Sequence, residues 1–318
     1  MSDGRTELDR RVREWLEHEG YPLEFQVGKR FNDSGFAVRQ GSYVRDTDSD
    51  TLREVDVLAH LSTHSDQHLL RVYHVVECKW SKDKPWVVFT RSGGIAPSAC
   101  VTQSIASLLG SAILWKEAGL KELHSLDLFA IPERTGFNGR QALSKDGSDR
   151  FYNSIRSVVS AAKNLVDSYD NPSRKSRVIP RNAVVAFPVI VVEGDLYETF
   201  LHSKTGSLEL KRAPHIRCHW RGSKEWSLHA TIDVVTFDYL EKYLATRSAQ
   251  VQSLLRRMRL SLSEITRCVE KKSIHSLKIS EGSRGVVGLH RLFCEFIPAR
   301  KKLPPPKSAA RDSKPDGR

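Results

Sequence analysis

Two neighbouring segments of this chain restrict its fold more than any others. Arg53-Glu54-Val55-Asp56-Val57-Leu58-Ala59 and Val75-Val76-Glu77-Cys78-Lys79-Trp80 both read as β-strands, and each sets ionisable side chains into an apolar pattern. Successive strand side chains point to opposite faces, so Glu77 and Lys79 share one face while Val76, Cys78 and Trp80 take the other. If the segments pair as a hairpin, Asp56, 21 positions upstream of Glu77, joins that spot. Two carboxylates and a lysine gathered together suit a hard divalent cation and an activated water. The competing reading is a same-face Glu–Lys pair on a half-exposed sheet. Against it stand the strongly apolar flanks, because a charge buried without a partner or a metal is costly.

The surrounding elements follow from periodicity. Leu8, Val12, Trp15 and Leu16 have helical spacing and Gly20 ends that run. Residues 21–27 read as a strand, and 36–44 as a second strand after the Asn32-Asp33-Ser34-Gly35 turn signal. The Asp-rich run 46–50 reads as a loop. Residues 52–61 and 69–80 are the charged strands, and 86–90 is a short extended piece. Residues 98–118 carry one broad apolar face and predict a single helix, residues 135–147 a surface loop, and 149–169 another amphipathic helix. Residues 183–192 are almost continuously apolar, as in a strand covered on both faces, with Pro188 predicting a bulge. Shorter strands follow near 196–200, 208–211, 215–220 and 228–235. A helix over 237–260 has a basic end at Arg247, Arg256, Arg257 and Arg259, and the pattern weakens after Ser261.

Composition sets the class. With 39% hydrophobic and 28% charged residues the chain reads as globular, and no apolar run approaches the roughly 20 residues of a membrane span. The first 20 residues are a charged amphipathic pattern rather than a signal peptide, so the expected location is cytoplasmic, with no membrane partner. A net charge of +12 favours a polyanionic partner, although residues 299–318 alone hold seven Lys or Arg against two Asp. That proline- and lysine-rich end, 298–318, reads as a disordered basic tail. The five cysteines, Cys78, Cys100, Cys218, Cys268 and Cys294, are scattered without a Cys-x-x-Cys pair and fit buried, reduced thiols. His60, His64 and His68 lie four apart but span a strand end and a loop. His215, Cys218 and His219 lack a second ligand pair, so ordinary packing is the preferred reading of both groups.

At Asp56 and Glu77-Cys78-Lys79 the chain resembles the PD-(D/E)xK superfamily of restriction endonuclease-like nucleases. Proteins of that kind share a helix, a three-strand meander, a helix and a returning strand, with Asp on the second core strand and Glu-x-Lys on the third. Val55 stands where the usual signature has proline. The resemblance covers 6–118, with 183–193 as the returning strand, and it implies an α/β three-layer sandwich around a mixed sheet. The expected organisation is a nuclease-like domain over 1–260, elaborated after 194 by a mostly β and helical extension, then a further extension at 261–297. It implies Mg²⁺, or Mn²⁺, held by Asp56, Glu77 and the Cys78 carbonyl, with Lys79 orienting or deprotonating the attacking water. An acidic residue of the first helix often joins such sites; Asp9 is nearest by position, with Glu7 and Glu14 as alternatives. Gln103 is the candidate inward-facing polar residue of the crossover helix. The implied activity is hydrolysis of nucleic-acid phosphodiesters, DNA before RNA, in a restriction or defence role, with a homodimer suited to two-strand cutting. The rival expectation is a subunit that binds nucleic acid or a larger assembly without catalysis; an RNA-cleaving effector is a further one.

Overall fold

A computed structural model describes residues 3–45, 52–81, 84–93, 96–144, 149–176, 180–221 and 229–271. The Asp-rich run 46–50, the basic tail and Cys294 lie outside these residues. One edge of the sheet is an antiparallel meander of β1 (Ala37–Arg45), β2 (Leu52–Ser65) and β3 (His68–Trp80), whose ladder pairs Val57 with Val76 and Ser65 with His68. The predicted hairpin of the two charged segments is therefore formed.

Further along the chain come β4 (Trp86–Ser92), β5 (Ile105–Ala106), β6 (Arg134–Gln141) and β7 (Asn182–Glu193). Then follow β8 (Leu196–Leu201), β9 (Leu208–Arg212), β10 (His215–Arg221) and β11 (His229–Thr236). One mixed sheet takes all of them in the order β1-β2-β3-β7-β11-β10-β6-β4-β8-β9, with β5 on the edge of β7. Strand β7 runs parallel to β3 and to β11, so it is interior, which is why its apolar run is unbroken. Its alternation divides the core. Val185, Phe187, Val189 and Val191 face a layer built from α2 (Tyr21–Asp33), α4 (Leu108–Glu117) and α7 (Leu240–Glu270). Val184, Ala186, Ile190 and Val192 face α6 (Arg150–Ser176). The chain is thus α/β with helices on both faces of a mixed sheet. Among the described residues no helix is long and apolar enough to cross a membrane.

Several expectations are corrected. Residues 21–27 are helical: α1 (Asp3–Glu19) ends at Gly20, whose φ of 85° turns the chain straight into α2. Leu23, Val27 and Phe31, four apart and buried, are the helical signal in that stretch. The single helix over 98–118 is broken into α3 (Pro97–Thr102), β5 and α4. Ser107 causes the break, its Oγ accepting from Gly110 N at 3.3 Å and from Val184 N at 2.9 Å. Both carboxylate oxygens of Asp170 on α6 accept the Leu108 N–H, at 2.9 and 3.0 Å.

Residues 134–141 form a strand, not a loop, because two glycines make room for close neighbours. A Cβ at Gly136 would meet Cys218 Sγ at 2.7 Å, and one at Gly139 the Phe151 ring at 2.8 Å. Pro188 makes no bulge, since the register with β3 runs unbroken through Val75 and Pro188. On the other edge of β7, Pro188 falls between the pairing with β5, which reaches Ala186, and the pairing with β11, which starts at Val189. Finally, α7 continues to Glu270 by burying Leu262, Ile265 and Cys268.

Candidate active site

The β2–β3 ladder stops at Val57 and Val76, one position before Asp56 and Glu77 would face each other. Beyond that point β2 stays with β1 and β3 stays with β7, so the strands splay. Asp56 bridges the opening: its Oδ2 accepts the Cys78 N–H at 2.7 Å. A strand residue's N–H and C=O point to the same edge, so the Cys78 carbonyl lies on the splayed side too, while its thiol is buried in the helix-covered core.

Glu77 is almost fully buried and held from two sides. Lys79 Nζ sits 2.5 Å from its Oε1, and Ser157 Oγ of α6 donates to its Oε2 at 3.1 Å. A cleft of about 310 Å³ opens at the splay, lined by Asp56, Cys78, Lys79 and Trp80 from the strands, by residues 18–20, Leu23 and Glu24 from the α1–α2 corner, and by Arg150 at the start of α6.

The charges in this cleft are unbalanced toward the negative. Burial, then the charge of Glu77, raises the Asp56 carboxyl to about 7, despite the Cys78 N–H and Lys79. Burial also raises Glu24, helped by the charges of Glu54 and Glu77. For Lys79, burial acts to lower the pKa, but the charge and hydrogen bond of Glu77 and the charge of Asp56 outweigh it and the net shift is upward. Its ammonium therefore stays protonated at neutral pH. The carboxylates of Glu19, Glu24, Asp56 and Glu77 outnumber the two cations at the site, Lys79 and Arg150, and hard oxygen donors of this type suit Mg²⁺ or Mn²⁺. Among the described residues no three His, Cys, Asp or Glu side chains form a ready metal-binding group. Mg²⁺ uses only one or two carboxylates and keeps several waters, so a sparse pair is compatible with it.

No protein-family model, curated protein or solved structure matches the chain.

Asp56, Glu77 and Lys79 thus come together, with Cys78 between them. Asp9 does not join them: it is exposed and does not line the cleft. Glu7 and Glu14 pair with Arg10 on the exposed side of α1. Glu19 at the end of α1 and Glu24 on α2 are the acidic residues of the N-terminal helices that line the cleft, and Glu24, whose charge bears on Asp56, was hidden from sequence reasoning because 21–27 looked extended. Its position beside Leu23, on the inner flank of the Leu23–Val27–Phe31 stripe, was the available signal. Ser157 was also missed, for no sequence pattern ties it to Glu77. Gln103 lies elsewhere, at the end of α3, where its Oε1 accepts from His219 Nε2 at 2.8 Å.

Of the other polar groups, Arg247 is buried rather than a solvated basic end. It shares Asp233 with Arg217 and Tyr243, at 3.3, 2.9 and 2.9 Å from Oδ2. Arg257 pairs with Glu117 of α4 at 3.0 Å. His60 stacks on Tyr73 at 4.9 Å and His215 bonds Asp233 at 3.0 Å, so these histidines have packing roles. Cys78, Cys100, Cys218 and Cys268 are buried thiols outside any disulfide.

Proposed function

We propose that the chain is a divalent-cation-dependent nuclease of the PD-(D/E)xK type, hydrolysing nucleic-acid phosphodiesters, with DNA as the first substrate to test. The observation that carries this reading is the splay of β2 from β3 at Asp56 and Glu77, which leaves Asp56 titrating near 7 beside a protonated Lys79. The order of β1, β2, β3 and a parallel β7 supports it, because the superfamily core has a meander and a returning strand in that arrangement.

Asp56 and Glu77 are the residues to hold Mg²⁺, with the Cys78 carbonyl on the same edge and Glu24 across the cleft. Such a cation supplies an activated water and stabilises charge on the phosphate. The chain's own contribution is positional. Ser157 and Lys79 fix the Glu77 carboxylate, and the Cys78 N–H fixes that of Asp56. Protonated Lys79 acts as a hydrogen-bond donor and positive charge towards the water and the phosphate, not as a base.

The test is cleavage of matched DNA and RNA substrates with Mg²⁺ or Mn²⁺. Asp56→Ala and Lys79→Ala should each abolish turnover, leaving the thermal transition cooperative. Preferential cleavage of the RNA would make the chain an RNA-cutting effector. Nucleic acid bound in EDTA but never cut with either metal would assign the chain to the binding-module class instead.

A further inference from the structure

A second cleft, of about 490 Å³, opens on the α6 face of the sheet. The ladder between β4 and β6 explains its shape. Phe89 pairs with Asn138 and Thr90 with Gly136, so Phe137 is the extra residue of a β-bulge. A bulge re-aims a side chain that regular alternation would direct elsewhere. Phe137 is 55% exposed and Tyr152, from the first turn of α6, is 47% exposed, both at the edge of this cleft. Trp220 of β10 adds a third ring.

Large aromatic surfaces left in water are unfavourable, and three around one hollow fit a planar guest. Polar groups stand at its rim. Asn138 Oδ1 accepts from Gly139 N at 2.8 Å, and its amide N–H₂ group is a donor. His219 is held by Gln103, and the Arg91 guanidinium lies 5.8 Å from the Phe137 ring centre. The residues described as lining the cleft include a cation and no carboxylate. Stacking faces, edge-directed hydrogen-bond groups and one cation match a nucleobase with its phosphate.

The first turn of α6 contributes to both this cleft and the candidate active site. Arg150 lines the Asp56 cleft and Tyr152 lines this one, and both belong to the first turn of α6. Asp149 sets that turn, its Oδ1 accepting the Tyr152 N–H at 3.0 Å.

We propose that this aromatic cleft takes one unpaired nucleobase of the substrate strand, with Arg91 on a neighbouring phosphate. The nature of the strand rests on the nuclease reading; the stacking chemistry does not. The substrate is then a single strand, or a duplex whose base can swing out of the stack.

The experiment uses the full chain in EDTA and a single-stranded oligonucleotide carrying 2-aminopurine, whose fluorescence falls when the base stacks on an aromatic ring. Saturable quenching is expected, weakened about tenfold or more in Phe137→Ala and in Tyr152→Ala and kept in Phe137→Trp. Both substituted rings are exposed, so thermal unfolding of the variants should match the parent. Competition by a mismatched but not a matched duplex would assign a flipped base, and competition by neither a single strand; either outcome supports the proposal. Binding without quenching, quenching unchanged in both alanine variants, or a matched duplex competing as well as the single strand would overturn it. Quenching without cleavage in Mg²⁺ would remove the nuclease reading and keep this site, whereas cleavage without quenching would do the reverse.

Discussion

Asp56 and His74 give the protein opposite pH slopes. The folded Asp56 carboxyl titrates near 7, above its ordinary 3.8, so the folded state holds a proton that the unfolded chain has released. Its contribution to stability is full below about 4 and is lost as pH rises through 7. Asp56→Asn should therefore raise the melting temperature at pH 8 by a few degrees and leave it nearly unchanged at pH 4. By the same linkage, Mg²⁺ should stabilise the parent at pH 8 and have far less effect on Asp56→Asn. His74 is fully buried among Phe31, Phe36 and Phe187, with neither ring nitrogen hydrogen-bonded. Burial, then the charge of Arg247, lowers it from 6.5 to about 3. A depressed histidine costs stability as pH falls below 6.5, where the unfolded chain takes up the proton. His74→Phe should flatten the acid side of the stability profile between pH 6 and 4, read from denaturant midpoints. At this scale the Asp56, Glu77, Lys79 grouping was legible, because two-residue alternation alone places side chains on a face. Glu24 was not, since its value depends on a helix packing across the strand ends.

Elements were legible where one periodicity dominated and misread where packing overrode it. Strands β1 to β4 and β8 to β11 were legible as extended segments and β7 by its unbroken apolar run, while β6 was hidden by glycines that read as turn residues. Gly136 and Gly139 are there because Cys218, Val88 and Phe151 leave no room for a Cβ. Close packing also shapes the start of α4, after the break that Ser107 makes. A Cβ at Gly110 would lie 2.4 Å from the Val184 carbonyl oxygen, so this helix presses its first turn onto β7. Gly110→Ala should cost at least about 2 kcal/mol in denaturant unfolding, more than overpacking of a yielding side chain, because the obstacle is backbone. Strand Pro188 shows the converse: proline inside a central strand predicts a defect, but the gap between β5 and β11 leaves it no edge partner to lose.

In the whole molecule the segments before and after residue 194 are interleaved. Strands β4 and β6 reach β7 only through β10 and β11, which come from the last third of the chain. A chain ending at Glu193 should therefore lose the cooperative transition and show protease cleavage throughout β4 and β6. Asp233 locks the same junction. It lies on β11 and holds Arg217 of β10 and Arg247 of α7, while Arg217 Nη1 donates to Ala130 O at 2.6 Å. Burial opposes the charge of Asp233, but Arg217 and His215 keep its carboxyl well below the usual range. Asp233→Asn should destabilise by about 3–5 kcal/mol, because it leaves buried guanidinium groups uncompensated.

The sequence by itself determined the α/β class and the shared face of Glu77 and Lys79, and it placed Asp56 beside them on the condition that the two charged strands pair. Each depends on local periodicity, which acts over a few residues and is written directly in the chain. Only the tertiary structure decided that β2 and β3 part at Asp56, that Glu24 is an acidic neighbour of Asp56, and that Gln103 bonds His219 away from that site. Those features arise where elements distant in sequence compete for the same space and the same hydrogen bonds, and no local pattern records the outcome.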